Sequence, residues 1–121
     1  MTRGKRRVLI VDDDPLAREA LIDVLGALEV ECIGAGNGAE ALHKFDDEDI
    51  GLVITDVRMP GMSGLDLLMF LKDKSPDLPV VLISGYNLDE SELQCAIARA
   101  DQLISKPYHI SDIVEVLHRF L

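Results

Sequence analysis

The chain is predicted to adopt an α/β fold, a parallel sheet flanked by helices, and three observations predict it. Five strand-like apolar runs alternate with five stretches of helical periodicity. Two of the runs, Val8-Leu9-Ile10-Val11 and Pro79-Val80-Val81-Leu82-Ile83, carry almost no polar residue, as expected of strands covered on both faces. Three runs end in charged residues, at Asp12-Asp13-Asp14, at Asp56 and at Lys106-Pro107. Parallel neighbours need crossovers long enough to hold a helix, so the alternation and the parallel pairing imply each other.

The first strand is Val8 to Val11. Asp14-Pro15 then reads as an N-cap followed by proline at the first helical position. Leu16, Ala20, Leu21, Val24, Leu25 and Leu28 recur at helical spacing to an end near Glu29. Glu31 to Ala35 is a weaker strand; the glycines of Gly34-Ala35-Gly36-Asn37-Gly38 read as a turn, and Ala39, Ala41, Leu42 and Phe45 mark a second helix ended by Asp46 to Asp49. Leu52 to Thr55 is the third strand, closed by Asp56. A long turn through Pro60 and Gly64 leads to a helix over Leu65 to Lys74, with Leu67, Leu68, Phe70 and Leu71 on its apolar side and Ser75-Pro76 as its stop. Pro79 to Ile83 is the fourth strand, stopping at Ser84-Gly85, and a helix from about Asp89 to Arg99 follows. Leu103 to Ser105 is the fifth strand. The last helix runs from Ile110 to Leu121, with Ser111 as its N-cap and Ile113, Val114, Val116, Leu117 and Phe120 apolar.

With 121 residues and 48% hydrophobic content, one domain with a sizeable core is expected over residues 1–121, of which 1–7 form a basic N-terminal tail. No apolar run approaches the roughly 18 residues of a membrane span. A formal net charge of -10 argues against generic binding to nucleic-acid phosphates. The one basic cluster, Arg3, Lys5, Arg6 and Arg7, is short and lacks aromatics, so it reads as a solvated tail and not as a nucleic-acid or membrane arm. Cys32 and Cys95 match no CxxC spacing and are expected to stay reduced as small hydrophobes. With no secretory signal read in the sequence, a cytoplasmic location is expected. His43, His109 and His118 show no metal-ligand spacing, and no GxGxxG or Walker A sequence is present.

Ligands of open α/β sheets bind at the carboxyl ends of the strands, so the acids and the lysine delivered there are expected to share one site. The acidic pair Asp12-Asp13, the segment Asp56-Val57-Arg58-Met59-Pro60-Gly61-Met62-Ser63-Gly64, the segment Leu82-Ile83-Ser84-Gly85 and Lys106-Pro107 occur in an order and spacing that resembles the receiver domain of two-component response regulators, over Val8 to Leu121. The resemblance implies a flavodoxin-like fold with strand order 2-1-3-4-5. It also implies a signalling module, not an enzyme in the usual sense. A sensor histidine kinase or phosphotransfer protein passes a phosphoryl group to Asp56, and the surface of helix 4, strand 5 and helix 5 then controls an output domain or downstream protein, with a homodimer through that surface as a further option.

A carboxylate that attacks an anionic phosphoryl donor needs charge neutralisation, and Mg²⁺ suits a site of a few carboxylates with open positions. By resemblance, Asp56 is acceptor and metal ligand, Asp13 a direct ligand, Asp12 a ligand acting mainly through water, and the backbone carbonyl of Arg58 completes the protein's share. Asp14 matches no family ligand and is read as a helix cap. Lys106 supplies a compact positive charge for Asp56 and later for the phosphoryl oxygens, before a Pro107 whose peptide bond the family typically holds cis. The Ser84 hydroxyl is placed to donate to a phosphoryl oxygen. The side chains of Arg58 and Tyr86 take positions where the family screens the acyl phosphate from water, which implies slow self-dephosphorylation.

Two departures stand out. Leu103 replaces the aromatic that the family commonly carries three residues before the lysine, and Arg99 replaces a common glycine. Two rival readings use the same residues. An aspartyl-phosphate hydrolase needs a second acid two residues after the nucleophile, where this chain has Arg58. A pseudo-receiver would act purely as an interaction module, and the complete set Asp12, Asp13, Asp56, Ser84 and Lys106 argues against it.

Overall fold

The structure, a computed structural model, describes residues 6–85 and 88–121. Arg3, Lys5 and Tyr86 therefore lie outside the described residues. Five strands, β1 (Arg7–Val11), β2 (Cys32–Ala35), β3 (Ile50–Asp56), β4 (Val80–Ser84) and β5 (Gln102–Ser105), alternate with helices α1 (Pro15–Ala27), α2 (Gly38–Asp47), α3 (Gly64–Lys74), α4 (Glu90–Arg99) and α5 (Ile110–Phe120). All pairings are parallel, in the order β2-β1-β3-β4-β5 that the resemblance implies.

The period of two along each strand divides the interior into two layers. Leu9, Val11, Val53, Val80 and Leu82 point to the face covered by α2, α3 and α4, where they meet Ala41, Leu67, Leu68, Leu71 and Ala96. Val8, Ile10, Leu52, Ile54, Val81 and Ile83 point to the other face, against Leu21 and Leu25 of α1 and Ile113, Val116 and Leu117 of α5. This two-sided burial is why β1 and β4 are apolar at nearly every position. β3 extends further than its apolar run: Ile50 pairs with Arg7, Gly51 is passed over where the register shifts before Val8 meets Leu52, and Asp56 is its last residue.

The helix ends follow from local chemistry. Asp14 caps α1 by accepting from the Leu16 amide at 3.0 Å, the bland role expected of it. Ser63 and Asp66 form a reciprocal capping box on α3, and Asp89 and Glu92 form one on α4. The expectation for α5 is corrected: His109 is the N-cap position, and Asp112 reaches back to accept from its amide at 2.8 Å, so the helix already includes Ser111. Gly34 lies within β2 and Gly38 begins α2, so the glycine-rich stretch is only in part a turn. A Cβ on Gly34 would stand 3.0 Å from Ile22 and 3.2 Å from Arg18, which explains a glycine inside a strand. Several periodic residues are not core: Leu16 is 82% exposed and Phe70 51%, and Ala20, Leu28 and Ala39 are exposed too.

Both cysteines are free, and burial pushes the Cys32 thiol up to about 11, in keeping with an inert packing role. Among the described residues no helix is long and apolar enough to cross a membrane.

The amino edge of the sheet is closed by matched charge. Arg7 pairs with Glu31 at 3.3 Å and with Glu48. Lys72 donates to the Leu78 carbonyl and to Asp101 Oδ2, both at 2.7 Å, and the same Asp101 oxygen accepts from the Val80 amide at 2.8 Å.

Candidate functional site

Register brings the strand-end residues together. Val11 of β1 lies beside Thr55 of β3, so the chain delivers Asp12 next to Asp56, and Asp56 lies in turn beside Ile83 of β4. One ligand oxygen each from Asp12, Asp13 and Asp56 falls within 4.8 Å of the others. From the end of β5, Lys106 extends its Nζ to 3.7 Å from Asp56 Oδ2 and 4.0 Å from Asp12 Oδ2. Ser84, the last residue of β4, is buried one position beyond Ile83. Five residues predicted from strand ends thus meet at one edge.

Each side chain is positioned by the backbone around it. Asp12 is 8% exposed, its Oδ1 accepts from the Asp14 amide at 3.0 Å, and its carbonyl accepts from Arg18 Nη1 at 2.7 Å. Arg18 comes from α1 and was not expected at the site; a contact from side chain to carbonyl leaves no signature in sequence. Asp56 Oδ1 accepts from the Val57 amide at 3.0 Å. The loop after Asp56 turns back so tightly that the Gly64 amide donates to the Val57 carbonyl at 2.8 Å, and a Cβ on Gly64 would lie 2.1 Å from the Asp56 carbonyl oxygen. Only glycine fits there. Gly85 gives Lys106 its passage, since a Cβ at 85 would stand 3.3 Å from Lys106 Cδ. The Lys106 amide donates to the Ser84 carbonyl at 2.8 Å, and the Lys106–Pro107 peptide bond is cis, as the resemblance implies.

Three acids face one lysine, and the electrostatics reflect that excess. Burial pushes the Asp56 carboxyl above its usual range; Lys106 opposes the rise, Asp12 adds to it, the Val57 amide lowers it and Asp13 raises it again. Burial, with a smaller push from Asp12, also raises the Tyr108 phenol. Beside the acids, a cleft of about 600 Å³ is lined by Ala17, Gly85, Lys106, Pro107 and Tyr108. Partly desolvated carboxylates of like charge, open to a cleft, are the setting a hard divalent cation stabilises.

The Arg58 side chain has a partner on α4. Its guanidinium makes a two-pronged pair with Glu92 of α4, Nη1 to Oε2 and Nη2 to Oε1, both at 2.8 Å. Glu92, too, escaped the sequence reading. Leu103 is half-buried and packs with the layer under α2, α3 and α4, and Arg99 pairs with Asp73 at 3.6 Å. His43 faces Asp47 on the surface of α2, away from the acids.

The response regulator receiver domain profile matches residues 8–118. The response regulator protein PilR of Pseudomonas aeruginosa is 33% identical over 114 residues, which is 94% of this chain and 26% of PilR, so the chain spans about a quarter of that relative. A crystal structure of a response regulator receiver protein from Pseudomonas putida superposes with a TM-score of 0.90 at 30% identity, covering 98% of this chain and 99% of that one. The response regulator protein TrrA of Thermotoga maritima, crystallised in complex with Mg²⁺-BeF, gives a TM-score of 0.87 at 35% identity over 96% of this chain and 99% of that one. Sheet order, strand-end residues and sequence relatives converge, and the chain belongs to the response regulator receiver domain family.

Proposed function

We propose that residues 8–121 form a single receiver domain that takes a phosphoryl group onto Asp56 from a histidine kinase or phosphotransfer protein and passes the change to an output domain or downstream protein. The observation that carries this reading is the meeting of three carboxylates within 4.8 Å with a lysine 3.7 Å from Asp56. In the transfer, an Asp56 oxygen bonds to phosphorus as the bond from phosphorus to the donor's histidine nitrogen breaks. Lys106, already paired with Asp56, holds the developing negative charge in a partly desolvated edge where its charge counts for more than in water. The Ser84 hydroxyl is assigned as a donor to a phosphoryl oxygen.

The residues present fit Mg²⁺. Asp12, Asp13 and Asp56 offer hard oxygen ligands, and their summed charge exceeds what Lys106 neutralises. With the backbone carbonyl of Arg58, these are the groups assigned to hold it. When bound, the cation supplies the charge neutralisation that lets an anionic donor approach an anionic acceptor. The domain is assigned as a signalling module of the cytoplasm, with the surface of α4, β5 and α5 as its contact face for an output partner or a second copy. The hydrolase reading loses ground, because the residue two after Asp56 is an arginine committed to Glu92.

Intact mass after incubation with acetyl phosphate and Mg²⁺ tests the proposal. Wild type gains one phosphoryl group and Asp56→Asn gains none. A chain that gains none in wild type, with the cognate kinase as well as with acetyl phosphate, is an interaction module instead.

A further inference from the structure

α4 is lightly anchored. Ala96 is its only buried residue among those described, while Leu93 is 40% and Ile97 72% exposed. Its amino end is instead held by charge, through the two-pronged contact from Arg58, two residues beyond the acceptor. The carboxylate that receives Arg58 also closes the first turn of α4, since Glu92 Oε1 accepts from the Asp89 amide at 3.0 Å. Arg58 is 47% exposed and Glu92 20%, so the pair lies at the rim of the site, open to exchange. Among the described residues no hydrogen bond or ion pair joins Arg58 to Asp56, whose own contacts are the Val57 amide and Lys106.

We infer that Arg58 and Glu92 form a latch that ties the acceptor loop to α4 and that a phosphoryl group on Asp56 opens by drawing Arg58 to itself. The inference rests on the receiver reading above. A phosphorylated acceptor carries about 1.5 to 2 negative charges and three acceptor oxygens, against one charge on Glu92. A planar guanidinium matches phosphate as well as it matches carboxylate, so added charge decides which partner it keeps. Once Arg58 leaves, Glu92 still caps its helix, and α4 is freed as an intact unit without unravelling. The link needs no aromatic at position 103, where this chain has a half-buried leucine. Glu92 is thus a positioning residue: it decides where Arg58 stands when the phosphoryl group arrives.

Amide hydrogen exchange over residues 90–99, read by mass spectrometry with and without acetyl phosphate and Mg²⁺, tests the latch in wild type, Arg58→Ala and Glu92→Gln. Gln keeps an acceptor for the Asp89 amide and removes the charge that holds Arg58. In wild type, exchange in α4 rises about fivefold on phosphorylation, the scale of a good surface ion pair. In both variants it is already raised before phosphorylation and rises no further. The lifetime of the aspartyl phosphate separates the two variants: Glu92→Gln lengthens it, because Arg58 is free to cover the phosphoryl group, and Arg58→Ala shortens it. A purely structural pair would move both lifetimes the same way, and that result overturns the inference. A mass gain on Asp56 with unmoved α4 exchange also overturns it, while leaving the receiver reading intact. Absence of any mass gain overturns the receiver reading and the opening of the latch with it.

Discussion

The two ends of the sheet are built from the same strands and treat charge in opposite ways. At the amino edge, Arg7 has Glu31 and Glu48, Lys72 has Asp101 and the Leu78 carbonyl, and Asp101 also accepts from the Val80 amide. At the carboxyl edge, Asp12, Asp13 and Asp56 crowd together, and Lys106 is the side-chain cation paired with Asp12 and Asp56 among the described residues. The first arrangement neutralises charge and closes backbone hydrogen bonds. The second leaves excess negative charge in a partly desolvated place, which disfavours the folded state unless a cation joins it. One sheet therefore carries neutralised charge at one end and uncompensated charge at the other, and a change made at either end should be felt in a different measurement.

The largest expected effect comes from the most tightly packed glycine at the carboxyl edge. Gly64→Ala puts a Cβ against the Asp56 carbonyl, so urea denaturation should show a loss of about 3 kcal/mol, with phosphorylation impaired as the loop shifts. Second is the cation itself. Saturating Mg²⁺ should stabilise wild type by roughly 2.7 kcal/mol at about 100 times Kd. Asp13→Asn should lose most of that gain while its metal-free stability stays level or rises slightly, because a like charge is removed. A fall in metal-free stability would show that the carboxyl edge is not the uncompensated one.

Third, Asp101→Ala strips partners from Lys72, whose side chain is only 10% exposed, and from the Val80 amide. It should lower stability by about 2 kcal/mol and leave Mg²⁺ affinity untouched. A change in that affinity would break the division between the edges. The smallest effect is a slope. The folded-state value of Asp56 lies above the unfolded one, so between the two the folded chain binds more protons. Metal-free stability should therefore fall as pH rises through that window and recover on acidification toward the ordinary carboxylate range. Denaturation curves of wild type and Asp56→Asn in a chelating buffer check the sign; a difference that stays flat with pH would mean that burial does not act on Asp56 as described.

The strands were legible because two-sided burial leaves an unbroken apolar run, and the acids and lysine were legible because they stand where those runs stop. β2 was harder to bound, since its residues are mostly half-buried and Gly34 dilutes the pattern. The cap of α5 was misplaced because a carboxylate at Asp112, reaching backward, fixes the helix start more firmly than the serine before it. Leu16 and Phe70 show the limit of periodicity, which marks a stripe wider than the part that meets the sheet. Arg58 with Glu92 and Lys72 with Asp101 lie 34 and 29 residues apart in sequence, and no local rule joins such pairs. They became visible only once register and packing had set the helices in place.

β3, which carries Asp56, has a neighbour on each side, β1 and β4, and every residue before Asp56 is buried. The outer strands β2 and β5 are only partly covered. Local opening starts where protection is least, so transient fraying of either outer strand leaves the central one paired. Amides of β3 should exchange only through global unfolding, at rates that track the full stability of the domain. On the proposed reading, a phosphoryl group on Asp56 would be stored on the slowest-opening part of the molecule, and its loss would be governed by chemistry at the edge and not by breathing of the fold.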